Sequence, residues 1–278
     1  MLLEAAATEF PRVETIITES TYGGPDDVMP SRAESEKLLA RIINETLENK
    51  GKVLIPVPAV GRVQEIMPII NDYMKRKIMK EAPVFLEGMI SEATAIHTAY
   101  PEYLSREVRH NILHEETNPF QSDYFTIVKH PSLRQSIIEG DPCVVLATSG
   151  MLEGGPVIEY FRNWADNSNN TMIFVSYQIE GTMGRRVQKG ASEVTMMDNQ
   201  GRLMAVEVKL RSETISGFSG HSDRRQLINY LTQFTPKPER IFVCHGEKSK
   251  TTDMADFIYR KGRINTIVPA AMETYRLL

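Results

Sequence analysis

The chain has 278 residues, 41% hydrophobic and 24% charged, with 32 Lys and Arg against 36 Asp and Glu for a formal net charge of −4. This balance excludes a disordered polymer, gives enough chain for one large domain or two ordinary ones, and requires any nucleic-acid affinity to come from local basic patches. No apolar run reaches the roughly eighteen residues of a membrane span, no signal peptide opens the chain, and its two cysteines, Cys143 and Cys244, sit in apolar runs expected to hold buried free thiols in a reducing cytoplasm.

In chain order, Ile16-Ile17-Thr18-Glu19-Ser20-Thr21-Tyr22-Gly23-Gly24 reads as an apolar strand that runs into an acid and a glycine turn. Ser31-Arg32-Ala33-Glu34 is a capping box. Leu38, Leu39, Ile42, Ile43 and Leu47 follow at helical spacing, and Gly51 is expected to cap the end. Val53 to Val57 predicts a short buried strand. Gly61 then opens a helix that Pro68, lacking an N–H, should kink or restart. Strand Val84 to Leu86, a helix near Pro131 to Ile138, strand Cys143 to Ala147, helix Pro156 to Trp164 and strand Met172 to Ser176 continue the alternation. That pattern implies βαβ units and a mainly parallel sheet with helices on both faces. From Arg202 the texture changes. Leu203 to Leu210 alternates as a strand with one wet face, Asp223 to Phe234 and Asp253 to Arg260 read as helices, and Ile241 to Cys244 reads as a strand. The chain closes with a short β-like run, Pro269, and an apolar terminus that needs a surface to bury it.

Two histidines stand out. His221 lies in Phe218-Ser219-Gly220-His221-Ser222-Asp223. His245 follows directly on a buried strand in Ile241-Phe242-Val243-Cys244-His245-Gly246-Glu247. A histidine at the carboxyl end of a strand in an α/β fold points into the crevice where such folds keep their chemistry. Asp223 suits a helix cap or a partner that sets a histidine tautomer, and the cap is favoured; Glu247 stays open between such roles. The Gly61-Arg62 and Ser149-Gly150 turns each link a strand to a helix and offer exposed amides for phosphate, while Gly184-Arg185-Arg186 adds two guanidinium groups. Each glycine can equally serve only the turn. No G-x-G-x-x-G or Walker sequence is present, so no nucleotide cofactor is expected. His110 and His114 share a helical spacing that zinc can use but lack an accompanying H-E-x-x-H acid, and a surface role is favoured. Lys75-Arg76-Lys77 with Lys80 reads as a solvated helix end.

These motifs resemble those of the metallo-β-lactamase-fold nucleases of the β-CASP group, and most closely the archaeal relatives of the cleavage and polyadenylation specificity factor. The resemblance also takes in Ile55-Pro56-Val57-Pro58-Ala59-Val60-Gly61-Arg62-Val63-Gln64-Glu65, Ala147-Thr148-Ser149-Gly150-Met151 and Gly181-Thr182-Met183-Gly184-Arg185-Arg186. It implies a Rossmann-like β-CASP lobe with a mainly parallel sheet, inserted in the C-terminal part of a metallo-β-lactamase fold. The implied division is residues 1–25 for the end of the first metallo-β-lactamase segment, 26–216 for the β-CASP domain and 217–278 for the C-terminal segment. It assigns Glu19 and His221 to catalysis, with Glu19 holding His221 and favouring its protonated form as general acid, and His245 to a zinc ion. The family's H-x-H-x-D-H motif is absent, since the six histidines are 97, 110, 114, 130, 221 and 245. The chain is therefore expected to be the C-terminal part of a longer two-zinc ribonuclease, inactive alone because most zinc ligands are missing. The implied activity is RNA cleavage or trimming in 3′-end processing or transcription termination, with RNA as partner and a homodimer formed through the C-terminus. The rivals are a non-catalytic RNA-binding or dimerising scaffold of the family and a DNA-repair nuclease of the same group. In the latter branch an apolar residue usually stands where this chain has His245.

Overall fold

The computed structural model describes residues 2–277 apart from Ala5, Ala6, Thr8, Pro11, Glu116 and Asn199. Its elements run β1 (Thr15–Glu19), α1 (Arg32–Glu48), β2 (Val53–Pro56), α2 (Arg62–Lys75), β3 (Val84–Glu87), α3 (Ile90–Ala99), α4 (Arg106–His114), β4 (Phe125–Ile127), α5 (Pro131–Glu139) and β5 (Val144–Ala147). They continue with α6 (Val157–Trp164), β6 (Thr171–Phe174), α7 (Met183–Gln188), β7 (Glu193–Met197), β8 (Leu203–Glu207), β9 (Arg211–Thr214), α8 (Arg224–Thr232), β10 (Arg240–Cys244), α9 (Lys248–Gly262) and β11 (Asn265–Ile267). The chain forms two compact units, Met1–Glu4 with Pro30–Ser219 and Ala5–Met29 with Gly220–Leu278. These divisions lie a few residues beyond the 25/26 and 216/217 boundaries expected from sequence. The first residues also belong to the larger unit, where Leu2 is buried and its carbonyl accepts from the Ser105 amide at 2.9 Å.

The larger unit is built on a six-stranded sheet in the order β4-β3-β5-β2-β6-β9, with every pair parallel. Successive residues of β2 serve opposite faces. Val53 and Ile55 join Leu39, Ile43, Ile66 and Ile70 in one core, whereas Leu54 joins Val145, Tyr160, Phe161 and Trp164 in the other. Burial on both faces is why the inner strands read as continuous apolar runs.

Several expectations change in this unit. Pro68 neither ends nor restarts α2, which is continuous through it; it removes one N–H, while Val63, Ile66, Met67 and Ile70 around it are almost wholly buried and hold the helix by packing. The left-handed residue after α1 is Lys50 (φ 57°), not Gly51. Gly51 is needed for space instead, since a Cβ there would fall 1.8 Å from the Asn169 carbonyl oxygen. The strand expected over Leu203 to Leu210 stops at Glu207 and pairs antiparallel with β7. Backbone amides of Lys209 and Leu210 turn to the Ala165 carbonyl, which ends the ladder.

The smaller unit holds a three-stranded parallel sheet, β1-β10-β11, whose register sets Thr15 beside Arg240 and Glu19 beside Cys244. Ile16, Ile241 and Val243 pack with Leu227 and Leu231 of α8 and with Met254 and Ile258 of α9. Asp223 caps α8 as expected, accepting from the Gln226 amide at 2.8 Å. Helix α9 starts at Lys248, five residues before the expected Asp253, because its polar first turn hides the amphipathic pattern. Cys143 is buried, which pushes its thiol up to about 12. Cys244, at the last position of β10, is only half-buried, contrary to expectation. Near the terminus the Tyr275 ring meets Phe242 edge-on at 5.1 Å while Met272 is 99% exposed; Leu278 lies outside the described residues. Among the described residues no helix is long and apolar enough to cross a membrane.

Candidate active site

The smaller unit gathers its site from strand ends. Parallel pairing puts Glu19 beside Cys244, and the next residue, His245, turns left-handed (φ 48°). The turn is laced to β1: the Ser20 amide donates to the His245 carbonyl at 3.2 Å, and Ser20 Oγ donates to the Cys244 carbonyl at 2.7 Å. Gly246 is obligatory here, because a Cβ would lie 2.5 Å from the Ser20 carbonyl oxygen.

His221 arrives from the other side, two residues ahead of the α8 cap. Asp223 Oδ2 accepts from the Met29 amide at 3.1 Å, and the Arg224 amide donates to the Asp27 carbonyl at 3.1 Å, so the approach is fixed. His221 Nδ1 then lies 2.7 Å from Glu19 Oε2, and Glu19 Oε1 accepts from the Ser222 amide at 3.3 Å. His245 Nδ1 is 3.9 Å from Glu19 Oε2. The two imidazoles lie with centroids 5.4 Å apart and planes 28° apart. With Nδ1 of each ring turned to protein groups, Nε2 is the atom on the far side. Side-chain exposure rises from 27% for Glu19 through 35% for His221 to 70% for His245.

One ligand atom from each of Glu19, His221 and His245 lies within 4.8 Å of the others. Two imidazoles and a carboxylate suit a borderline cation such as zinc. Since Glu19 Oε2 already engages His221, His245 is the group best placed to offer a ligand nitrogen.

Thr21 was not singled out in the sequence. Its hydroxyl lies 3.1 Å from His245 Nδ1 and 3.3 Å from His221 Nδ1. The signal was its place two residues after Glu19, in the turn that follows β1. Lys250, over the Tyr22 ring at 5.4 Å and 2.9 Å from Asp27 Oδ2, steadies the same turn. Glu247 occupies the cap position of α9 but makes no side-chain cap bond.

The remaining sequence candidates lie in the larger unit. Gly61 (φ 83°) begins α2, and its amide donates to Gln64 Oε1 at 2.7 Å. The Arg62 side chain is only 9% exposed and pairs with Glu65. A Cβ at Gly150 would press on Pro58 at 2.9 Å, and one at Gly184 would reach Gln178 Oε1 at 2.0 Å. Gln178, 1% exposed, donates to the Gly150 carbonyl at 2.9 Å, and the Gly184 amide donates to the Met151 carbonyl at 2.9 Å. The Ser149-Gly150 turn and Gly184-Arg185-Arg186 are thus brought together through a residue the sequence did not flag. Arg185 pairs with Glu180 at 3.3 Å, and Arg186 is exposed. His110 and His114 share an exposed face of α4, with ring centroids 5.1 Å apart. Lys75, Arg76, Lys77 and Lys80 are exposed.

Comparison with known families matches residues 63–187 to the Beta-Casp domain and residues 205–269 to the Zn-dependent metallo-hydrolase RNA specificity domain. The chain belongs to the β-CASP family. The β-CASP match lies wholly in the larger unit, and the second stretch contains His221 and His245 but not Glu19. Among curated relatives, the chain is similar to proteins named transcription termination factor FttA. It is 50% identical to that of Methanothermobacter thermautotrophicus over 99% of this chain and 43% of the relative, and 51% identical to that of Methanococcus maripaludis over 99% and 44%. The FttA of Lokiarchaeum sp. is 48% identical over 99% of this chain and 43% of its own length. This β-CASP chain therefore spans somewhat over two-fifths of the length of the relatives it matches.

Proposed function

We propose that this chain carries one side of the active centre of a zinc-dependent ribonuclease that cuts or trims RNA in 3′-end processing or transcription termination, in the cytoplasm. The observation that carries the reading is the 2.7 Å contact of His221 Nδ1 with Glu19 Oε2, beside the exposed His245 ring. The relatives' name and the RNA specificity match support RNA as the substrate.

Glu19 accepts the Nδ1 proton of His221 and fixes the ring, so that a proton on Nε2 can pass to the leaving oxygen of the cleaved phosphodiester. His245 would hold zinc through Nε2. Zinc, when bound, supplies a Lewis acid for the phosphoryl oxygens and an activated water. A catalytic zinc needs about three protein ligands, and with Glu19 and His221 engaged with each other His245 is the one left to offer, so this chain alone is expected to hold no stoichiometric zinc after purification and to leave RNA uncut. Metal analysis and a cleavage assay check both points; cleavage by the chain that His245→Ala abolishes would refute the expectation.

The paired turns at Ser149-Gly150 and Gly184-Arg185-Arg186, with Gly61-Arg62, serve as contacts to the RNA backbone, with Arg186 the most outward cation. Phosphate contacts position a strand without reading its sequence. Replacing Arg185 and Arg186 by Ala is expected to weaken unrelated RNAs equally and to lower the salt slope by about one for each phosphate left without its guanidinium. Filter binding across a salt series reads both, and an unchanged slope would make these arginines structural.

Met272 at 99%, Tyr275 at 37% and Leu277 at 46% exposure leave apolar groups uncovered at the C-terminus, which suits a self-complementary two-fold contact. The chain is expected to sediment as a dimer at micromolar concentration and as a monomer after deletion of 272–278. An intact chain that is already monomeric would sink the dimer.

A further inference from the structure

We infer that Thr21 is a positioning residue for the histidine pair: its hydroxyl fixes which nitrogen of His245 carries the proton and so turns Nε2 outward as a lone-pair donor. The inference rests on the reading of His245 as the residue that would hold zinc.

Thr21 is 4% exposed, and its Oγ1 has three neighbours: His245 Nδ1 at 3.1 Å, the His245 carbonyl at 3.2 Å and His221 Nδ1 at 3.3 Å. A hydroxyl has one proton to give and two lone pairs to accept with. A carbonyl oxygen only accepts, so the Thr21 proton goes to the His245 carbonyl. Thr21 Oγ1 must then accept from His245 Nδ1–H, which leaves Nε2 of a neutral ring unprotonated. The opposite assignment, with Thr21 donating to a bare Nδ1, would forgo the bond to the carbonyl and place the proton on Nε2, where it blocks a metal.

His221 makes the accounting consistent. Its Nδ1 proton goes to Glu19 Oε2 at 2.7 Å, so the longer 3.3 Å approach to Thr21 is a minor second branch that asks for no further proton. The Thr21 amide points to the same carboxylate oxygen at 3.4 Å. One residue thus touches the acid, both rings and the backbone of the left-handed His245. Groups that orient a ligating imidazole through its other nitrogen set both tautomer and ring direction.

The test reads the tautomer directly on the metal-free chain, by nitrogen-15 shifts and two-bond proton–nitrogen couplings of the imidazoles. The measurement is made near pH 8.5, about two units above the ordinary histidine range. His245 is expected as the Nδ1–H form. Thr21→Val, which keeps the shape and removes the hydroxyl, should move the tautomer ratio toward Nε2–H by about two- to tenfold, the weight of one net hydrogen bond. Thr21→Ser should restore the original ratio, which a merely structural role would not produce. An Nε2–H form in the unaltered chain overturns the inference, as does a ratio unmoved by Thr21→Val. Should Thr21→Val fail to fold, the unaltered chain and Thr21→Ser decide: both must show Nδ1–H. Failure of the nuclease reading looks different. There, zinc binding and hydrolysis by the whole protein would survive His245→Ala while the Thr21-dependent tautomer persists.

Discussion

His221→Ala in the whole protein is expected to slow RNA hydrolysis by about 10²- to 10⁴-fold, the usual weight of a positioned general acid, while RNA affinity stays close to its original value. The side chain is 35% exposed and anchored through Nδ1, so its removal empties no core and unpairs a carboxylate that water can reach. Glu19→Gln keeps an acceptor for Nδ1–H but replaces a bond to a charged oxygen by one to a neutral oxygen, so its loss should fall at the lower end of that range. Because the two groups act as one device, the double variant should be no slower than His221→Ala by more than a small factor. Single-turnover rates with saturating RNA separate chemistry from binding. A rate within tenfold of the original, or a loss carried wholly by affinity, would make the pair structural.

Arg134→Ala is expected to cost about 3–5 kcal/mol of the larger unit's stability, because it strands a buried carboxylate. Glu87 ends β3 at 5% exposure, accepting from Arg134 Nε at 2.8 Å, from a second guanidinium nitrogen, and from the Tyr160 hydroxyl at 2.6 Å. Tyr160→Phe removes one bond to a charged group and should cost less, about 1.5–3 kcal/mol. Trp164, the only tryptophan and 5.1 Å from the Tyr160 ring, reports urea unfolding of this unit. Burial, and then the bond to Glu87, raise the Tyr160 phenol above its ordinary range. Its contribution is therefore present below the ordinary tyrosine pKa of about 10 and fades as pH climbs beyond it. A loss under about 1 kcal/mol in Arg134→Ala would mean that water reaches Glu87 once the guanidinium is gone.

The inner strands were legible because Val53, Leu54, Ile55, Val144 and Val145 are buried on one face or the other, so each had to be apolar. Strand β9 was not. Its sequence Arg-Ser-Glu-Thr lines a sheet edge, where Arg211 is satisfied by Glu45 and Glu213 at 2.7 Å each and no apolar pattern is required. Helix α4 is short and has no fully buried residue, with only Val108 and Ile112 turned to the core. At the site, Glu19 and His245 stand in motifs at strand ends and His221 in one just ahead of the α8 cap, whereas the Thr21 hydroxyl lies against partners far away in sequence. The pairing of Arg62 with Glu65 was legible too, since a cation and an acid three residues apart share a helix face. Gln178 gave no signal, since a buried amide that joins two turns has no local pattern.

The smaller unit is assembled from both ends of the sequence, and that sets a schedule for its making. Glu19 and His221 are 202 residues apart. At about 5–20 residues per second, Glu19 is joined to the chain roughly 10–40 s before its partner, and β10 comes later still. By the end of that interval all six strands of the larger sheet have been translated, whereas β10, which pairs with β1, has not. The order of synthesis therefore favours a larger unit that folds first and a Glu19–His221 contact that forms among the last.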